Sequence, residues 1–164
     1  MADNHEYKNL LCQIVEDPCW GGYFKVPAGG TPREFPLENR CRADFGYEFP
    51  LGRLFIEDDN ANTAMSNLVK YEVWCAARPT IKTVYLIHII GVPGQSRFLG
   101  EAISRSNEIK ARLQPLGIRF EYRHVVHVGY GEWHNPKAKW LSEVRSLLET
   151  IVHDNPGAGL TAAA

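Results

Sequence analysis

Apolar positions recur along the chain in two rhythms, and their order sets the expected fold. From His5 to Asp17, Tyr7, Leu10, Leu11, Ile14 and Val15 follow the three-and-four spacing of one helical face. Asp3 or Asn4 can cap that helix, and Asp17-Pro18 ends it, because a residue before proline is pushed out of the α region. Arg42 to Phe49 and Arg53 to Asp58 read as two short strands, joined as a hairpin through Pro50-Leu51-Gly52. Asn62-Thr63 offers an N-cap for a second helix, whose buried stripe is Ala64, Met65, Leu68, Tyr71 and Cys75 and which Arg78-Pro79 stops. Thr83 to Ile90 is a near-continuous apolar run, as in a central strand covered on both faces. A helix from Arg97 to Leu113 aligns Phe98, Ala102, Ile109 and Leu113. Ile118 to Val128 alternates at first, which predicts a strand with one face more exposed. The last helix is expected to open with Asn135 as cap and Pro136 at its first position. It carries a stripe of Trp140, Leu141, Val144, Leu147, Leu148 and Ile151.

From Arg53 onward strands and helices alternate, which predicts an α/β fold, with a mixed central sheet flanked by helices. No internal repeat or linker divides the chain, so residues 1–155 are expected to form a single domain, followed by a flexible small-residue tail over 156–164. Pro18 to Asn39 is so punctuated by glycine and proline that it reads as a long loop. Its Trp20, Tyr23, Phe24, Lys25 and Arg33 suit either base stacking with phosphate contact or packing over the core edge.

Composition narrows the function classes. At 45% apolar and 23% charged residues, with a formal charge of -1, the chain is ordinary for a globular protein, so any nucleic-acid contact must come from a local patch. No apolar run approaches the ~20 residues of a membrane span, and no basic-then-apolar leader is visible at Met1, so no membrane association and a cytoplasmic location are expected. Cys12, Cys19, Cys41 and Cys75 form no Cys-x-x-Cys pair and are expected as free thiols.

The chemistry concentrates between Arg42 and Lys70. Asp44 opens one predicted strand, and Glu57, Asp58 and Asp59 close the next. Carboxylates at neighbouring strand ends can share a hard cation such as Mg²⁺ or Mn²⁺, and on a strand Glu57 and Asp59 point to one face. Lys70, on the following helix and off its buried stripe, is placed to point back and orient a metal-activated water. The competing reading is a solvated acidic run beside a helix N-terminus. His124, His127 and His134, with Glu132, form a looser group, but His124 and His127 fall on opposite faces of a regular strand. His88, inside an apolar run, reads as a hydrogen-bonded core histidine. Gly91-Val92-Pro93-Gly94-Gln95-Ser96 could present amides to an anion, but it lacks the P-loop ending and the nucleophile-elbow glycines.

Asp44-Phe45 on one strand, a turn, and Leu54-Phe55-Ile56 running into Glu57 resemble the PD-(D/E)XK, restriction-endonuclease-like nuclease superfamily. The resemblance covers roughly Asp3 to Val128. It implies Asp44 and Glu57 as metal ligands, Asp59 as an assisting carboxylate and Glu6 as a helical acid. Ala43 stands where the family has proline, and Asp59 where it has lysine; members that recruit lysine from the next helix make Lys70 the implied replacement. The implied activity is Mg²⁺-dependent hydrolysis of DNA phosphodiesters, with Arg40, Arg42, Arg97 and Arg105 approaching phosphates. A non-catalytic α/β interaction module of the same fold, a small-ligand protein using the Gly91 turn, and a homodimer all remain open on the sequence.

Overall fold

A computed structural model of the chain describes residues 4–59, 64–90, 96–126 and 138–157, with side chains over 7–58, 67–90, 99–126 and 138–157. Helix α1 (Asn4–Val15) precedes strands β1 (Arg33–Pro36), β2 (Arg42–Phe49) and β3 (Gly52–Asp59). Helix α2 (Ala64–Ala76), strand β4 (Thr83–Ile90), helix α3 (Ser96–Leu113), strand β5 (Arg119–Val126) and helix α4 (Lys139–Asp154) follow. The strands form one mixed sheet in the order β1-β2-β3-β4-β5. β1, β2 and β3 pair antiparallel, and β3, β4 and β5 pair parallel.

Two apolar layers follow from strand alternation. Leu54, Ile56, Tyr85, Ile87 and Ile89 face α1 and α4, where Tyr7, Leu11, Trp140, Val144 and Leu148 close over them. Phe55, Val84, Leu86 and Phe120 face α2 and α3, against Leu68, Tyr71, Trp74, Ala102 and Ile109. β4 is buried at every position, as its unbroken apolar run predicts, whereas β5 has neighbours on one side only. Gly52 fixes how closely β3 starts against β4: a Cβ there would stand 1.7 Å from the Thr83 carbonyl oxygen.

The loop expected over Pro18–Asn39 is corrected in part, because Arg33–Pro36 pairs with β2 as an edge strand. Four residues ending in proline are a weak strand signal, and proline is tolerated only where a strand edge needs no donor. The aromatic residues of that segment pack: Tyr23 and Phe24 are buried, and the Tyr23 hydroxyl donates to the Asn155 carbonyl at 2.5 Å. Helix α4 is also corrected, since Ala138 occupies its cap position, and Asn135 and Pro136 lie outside the described residues. The Asn62-Thr63 cap lies outside them as well. The chain stays packed as far as Gly157, which is buried beside Pro50. No described helix is long and apolar enough to cross a membrane.

Candidate active site at the β2, β3 and α2 junction

The site forms where the β2–β3 ladder opens. Backbone pairing runs from Phe49↔Gly52 to Phe45↔Ile56, and beyond it two carboxylates take over the hydrogen bonding. The Asp58 N–H donates to Asp44 Oδ2 at 2.8 Å, and the Asp44 N–H donates to Glu57 Oε2 at 3.3 Å. Each strand end is thus held by the other strand's acid. Strand alternation sends Glu57 to the side of Phe55, toward α2, and Asp58 to the side of Ile56, toward α1.

Helix α2 supplies the remaining partners. Leu68, Tyr71, Trp74 and Cys75 bury its apolar stripe, and that packing sets the helix's rotation about its own axis. In that rotation Lys70 runs beside the stripe, and its ammonium lies 2.5 Å from Glu57 Oε1. The same ammonium donates to the Arg42 carbonyl at 2.7 Å, so one side chain ties α2 to both strands. The Tyr71 hydroxyl donates to Glu57 Oε2. Lys70 and Glu57 expose only 11% and 6% of their side chains, so the pair is desolvated rather than a surface contact.

Burial pushes the Glu57 carboxyl above its usual range, and the Asp44 charge adds to that; the Lys70 ammonium and the Tyr71 hydroxyl pull the other way. On the opposite face Tyr7 of α1 is buried against the same acids. Its phenol is held well above its ordinary range by burial first, then by Asp58, with Asp44 and Glu57 contributing. Asp44 and Glu57 therefore meet the Lys70 ammonium at a partly dry junction, while Asp58 projects to the other face of β3, beside Tyr7.

Of the sequence-predicted site residues, Asp44, Glu57 and Lys70 come together. The side chains of Asp59, Arg97 and Glu6 lie outside the described residues, as do the Gly91–Gly94 turn, His127, Glu132 and His134. Arg42 is at the rim: its carbonyl meets Lys70, while its exposed guanidinium pairs with Glu34 at 2.6 Å. Arg40 is exposed just before it, at a left-handed φ of 62°. Arg105 pairs with Glu108 at 2.8 Å on α3, outside this cluster. His88 is buried with its Nδ1 2.8 Å from the Tyr122 hydroxyl, in keeping with a hydrogen-bonded core histidine. Sequence reasoning read Tyr71 and Tyr7 only as core positions. The available signal was a hydroxyl on an apolar stripe, which needs a buried partner.

Among the described residues no three His, Cys, Asp or Glu side chains gather into a metal cage. Two carboxylates suit an ion that keeps several waters, as Mg²⁺ does, better than one needing a full protein shell. The fold and site thus define a mixed α/β domain with a carboxylate pair and a buried lysine at the strand ends. No protein-family model matches the chain, and no curated protein or solved structure does either.

Proposed function

We propose that the domain is a metal-dependent nuclease hydrolysing DNA phosphodiester bonds. The observation that carries this reading is Lys70: it reaches from α2 to Glu57 and to the Arg42 carbonyl, filling from the helix the place that Asp59 leaves without a lysine. The order α1, antiparallel β1-β2-β3, α2 and parallel β4 agrees with the restriction-endonuclease-like core that the sequence resembles.

In this reading Asp44 and Glu57 would hold Mg²⁺ or Mn²⁺. The ion, when bound, would activate a water and neutralise developing charge on the phosphate. Asp44 is already oriented by the Asp58 N–H through Oδ2. Glu57 is fixed through both oxygens, with Tyr71 and the Asp44 N–H on Oε2 and Lys70 on Oε1. Preorganised charges of this kind stabilise a transition state without reorganising at the moment of reaction. Lys70 has a third donor beyond its two bonds, suited to orient an attacking water or a phosphate oxygen. Phe55, two residues back on the same face and packed on the Tyr71 ring, limits water around Glu57, which strengthens each interaction there.

The test is Mg²⁺-dependent nicking of plasmid DNA by the purified chain. Activity lost in Glu57→Gln and Asp44→Asn supports the reading, and equal activity in either variant sinks it. A second reading is a non-catalytic module in which Lys70–Glu57 is only a buried structural pair. Full use of both Glu57 oxygens favours that reading. It expects no Mn²⁺ uptake and no cleavage.

A further inference from the structure

Glu57 belongs to a row that crosses three strands. It registers with His88 on β4, and His88 registers with His124 on β5. Parallel neighbours in register share a face, so all three side chains project toward the α2 and α3 side. At a strand spacing of about 4.8 Å, His124 stands about 10 Å from Glu57 across the sheet. That is the axial length of about three stacked nucleotides. The middle of the row is rigid: His88 is 1% exposed and bonded to Tyr122, whose ring lies 6.3 Å from that of His124. The far end of the row is open, because His124 is exposed.

At His124 the row enters a groove between α3 and β5. The groove has a volume of about 280 Å³, and Ser106, Asn107, Lys110, Tyr122, Arg123 and His124 contribute to its lining. Its polar groups are chiefly donors. The one acid, Glu121, meets Lys110 at 3.1 Å, Arg119 at 3.2 Å and Arg123 at 3.3 Å. Three cations against one carboxylate leave the strand edge with excess positive charge. The Lys110, Arg119 and Arg123 side chains are 51%, 45% and 40% exposed, so their heads remain accessible. A donor-rich, positively charged groove whose His124 stands about 10 Å across the sheet from the carboxylate pair suits the flank of an extended polyanion held at that site.

We propose that the α3–β5 groove is the track for the nucleic-acid strand flanking the scissile phosphate, with His124 its first contact and Lys110 and Arg123 its phosphate contacts. This rests on the nuclease reading, and it adds a direction: from His124 the strand follows β5 toward its N-terminal end.

Anisotropy of a fluorescein-labelled single-stranded 12-mer, titrated with the full chain in EDTA, tests the groove separately from the metal. The Lys110→Gln/Arg123→Gln double variant keeps Arg119 on Glu121 and is expected to fold. It should raise Kd about tenfold at low salt and flatten the log K against log salt slope by about 1.4, or 0.7 for each lost contact. Lys25→Gln, beside Glu48 of β2 on the far side of the sheet, should change Kd less than twofold. Hydrolysis of bis-p-nitrophenyl phosphate, too small to reach the groove, should be unchanged in the groove variant and abolished in Glu57→Gln. His124→Ala should raise KM for oligonucleotide cleavage with kcat nearly unchanged. Wild-type affinity in the groove variant, equal weakening by Lys25→Gln, or no binding by the wild-type chain overturns the groove. Groove-dependent binding without any hydrolysis by the wild-type chain supports the groove and overturns the metal reading instead. Competition by inorganic phosphate as strong as by the oligonucleotide also overturns the track.

Discussion

Lys70 Nζ lies 2.5 Å from Glu57 Oε1, and the two residues come from different elements that only the packing of α2 on the sheet brings together. Each is nearly buried, so neither charge could stay ionised at low cost without the other. Lys70→Met should therefore destabilise the fold by about 3–5 kcal/mol, because it leaves an uncompensated buried carboxylate. Glu57→Gln/Lys70→Met, which removes both charges, should recover most of that loss. Urea unfolding of the two single variants and the double variant measures the coupling; additive losses would show that the pair is not coupled.

Metal uptake should be visible without catalysis. A ligand that binds only the native state stabilises it by about 2.7 kcal/mol at a hundred times its Kd. Saturating Mn²⁺ should therefore raise the melting temperature of the wild-type chain and leave that of Asp44→Asn unchanged. Ca²⁺ in place of Mn²⁺ should stabilise without supporting cleavage. No Mn²⁺ shift in the wild-type chain would remove the metal from the account.

Tyr71→Phe isolates the hydroxyl on Glu57 Oε2. A hydrogen bond to a charged group contributes about 1.5–3 kcal/mol, and the aromatic ring keeps its packing against Phe55. The expected outcome is a loss of stability in that range, with cleavage slowed rather than abolished, since Lys70 still holds the other oxygen. Chemical denaturation and a single-turnover cleavage assay separate the two effects.

Two groups away from the site give opposite pH signatures. Asp17 joins the end of α1 to Arg145 of α4 at 2.8 Å, and the Arg145 hydrogen bond holds its carboxyl down at about 2, from an ordinary 3.8. A lowered acid stabilises the fold above its unfolded pKa, so this contribution should be complete above about pH 4 and lost as pH falls through 2. Tyr23 is the reverse case: burial first, then Tyr85, raises its phenol to about 12 from 10.0. Its contribution should be intact below pH 10 and lost as pH rises through 12. Melting curves of Asp17→Asn and Tyr23→Phe should each flatten one limb of the profile and leave the other unchanged.

Gly52→Ala should be among the most damaging single-methyl additions, because the new carbon would stand 1.7 Å from a β4 carbonyl that cannot move without breaking the parallel pairing. A drop in melting temperature well beyond that of a surface glycine change such as Gly100→Ala, where a Cβ meets open space, is the expected result.

Much of this architecture was legible in one dimension. Alternation with period two in β2 and β3, the all-apolar run of β4 and the stripes of α1 and α4 are local consequences of which faces are buried, and they place Asp44 and Glu57 at strand ends. The short edge strand β1 was not legible, because its pairing comes from β2 and its own residues, ending in Pro36, carry almost no periodic signal.

The sequence by itself determined two carboxylates at neighbouring strand ends and a lysine on the next helix. Only the tertiary structure decided that they meet. Lys70 sits beside rather than on the apolar stripe, so its direction depends on the rotation of α2, which Leu68, Tyr71 and Trp74 set by packing against β3 and β4. A four-carbon stem then lets the ammonium lie along apolar surface and reach the buried acid. Tyr71 and Tyr7 joined the site for the same reason: a hydroxyl on a core-facing ring goes where the packing puts it, and the packing put both against the acids of β2 and β3.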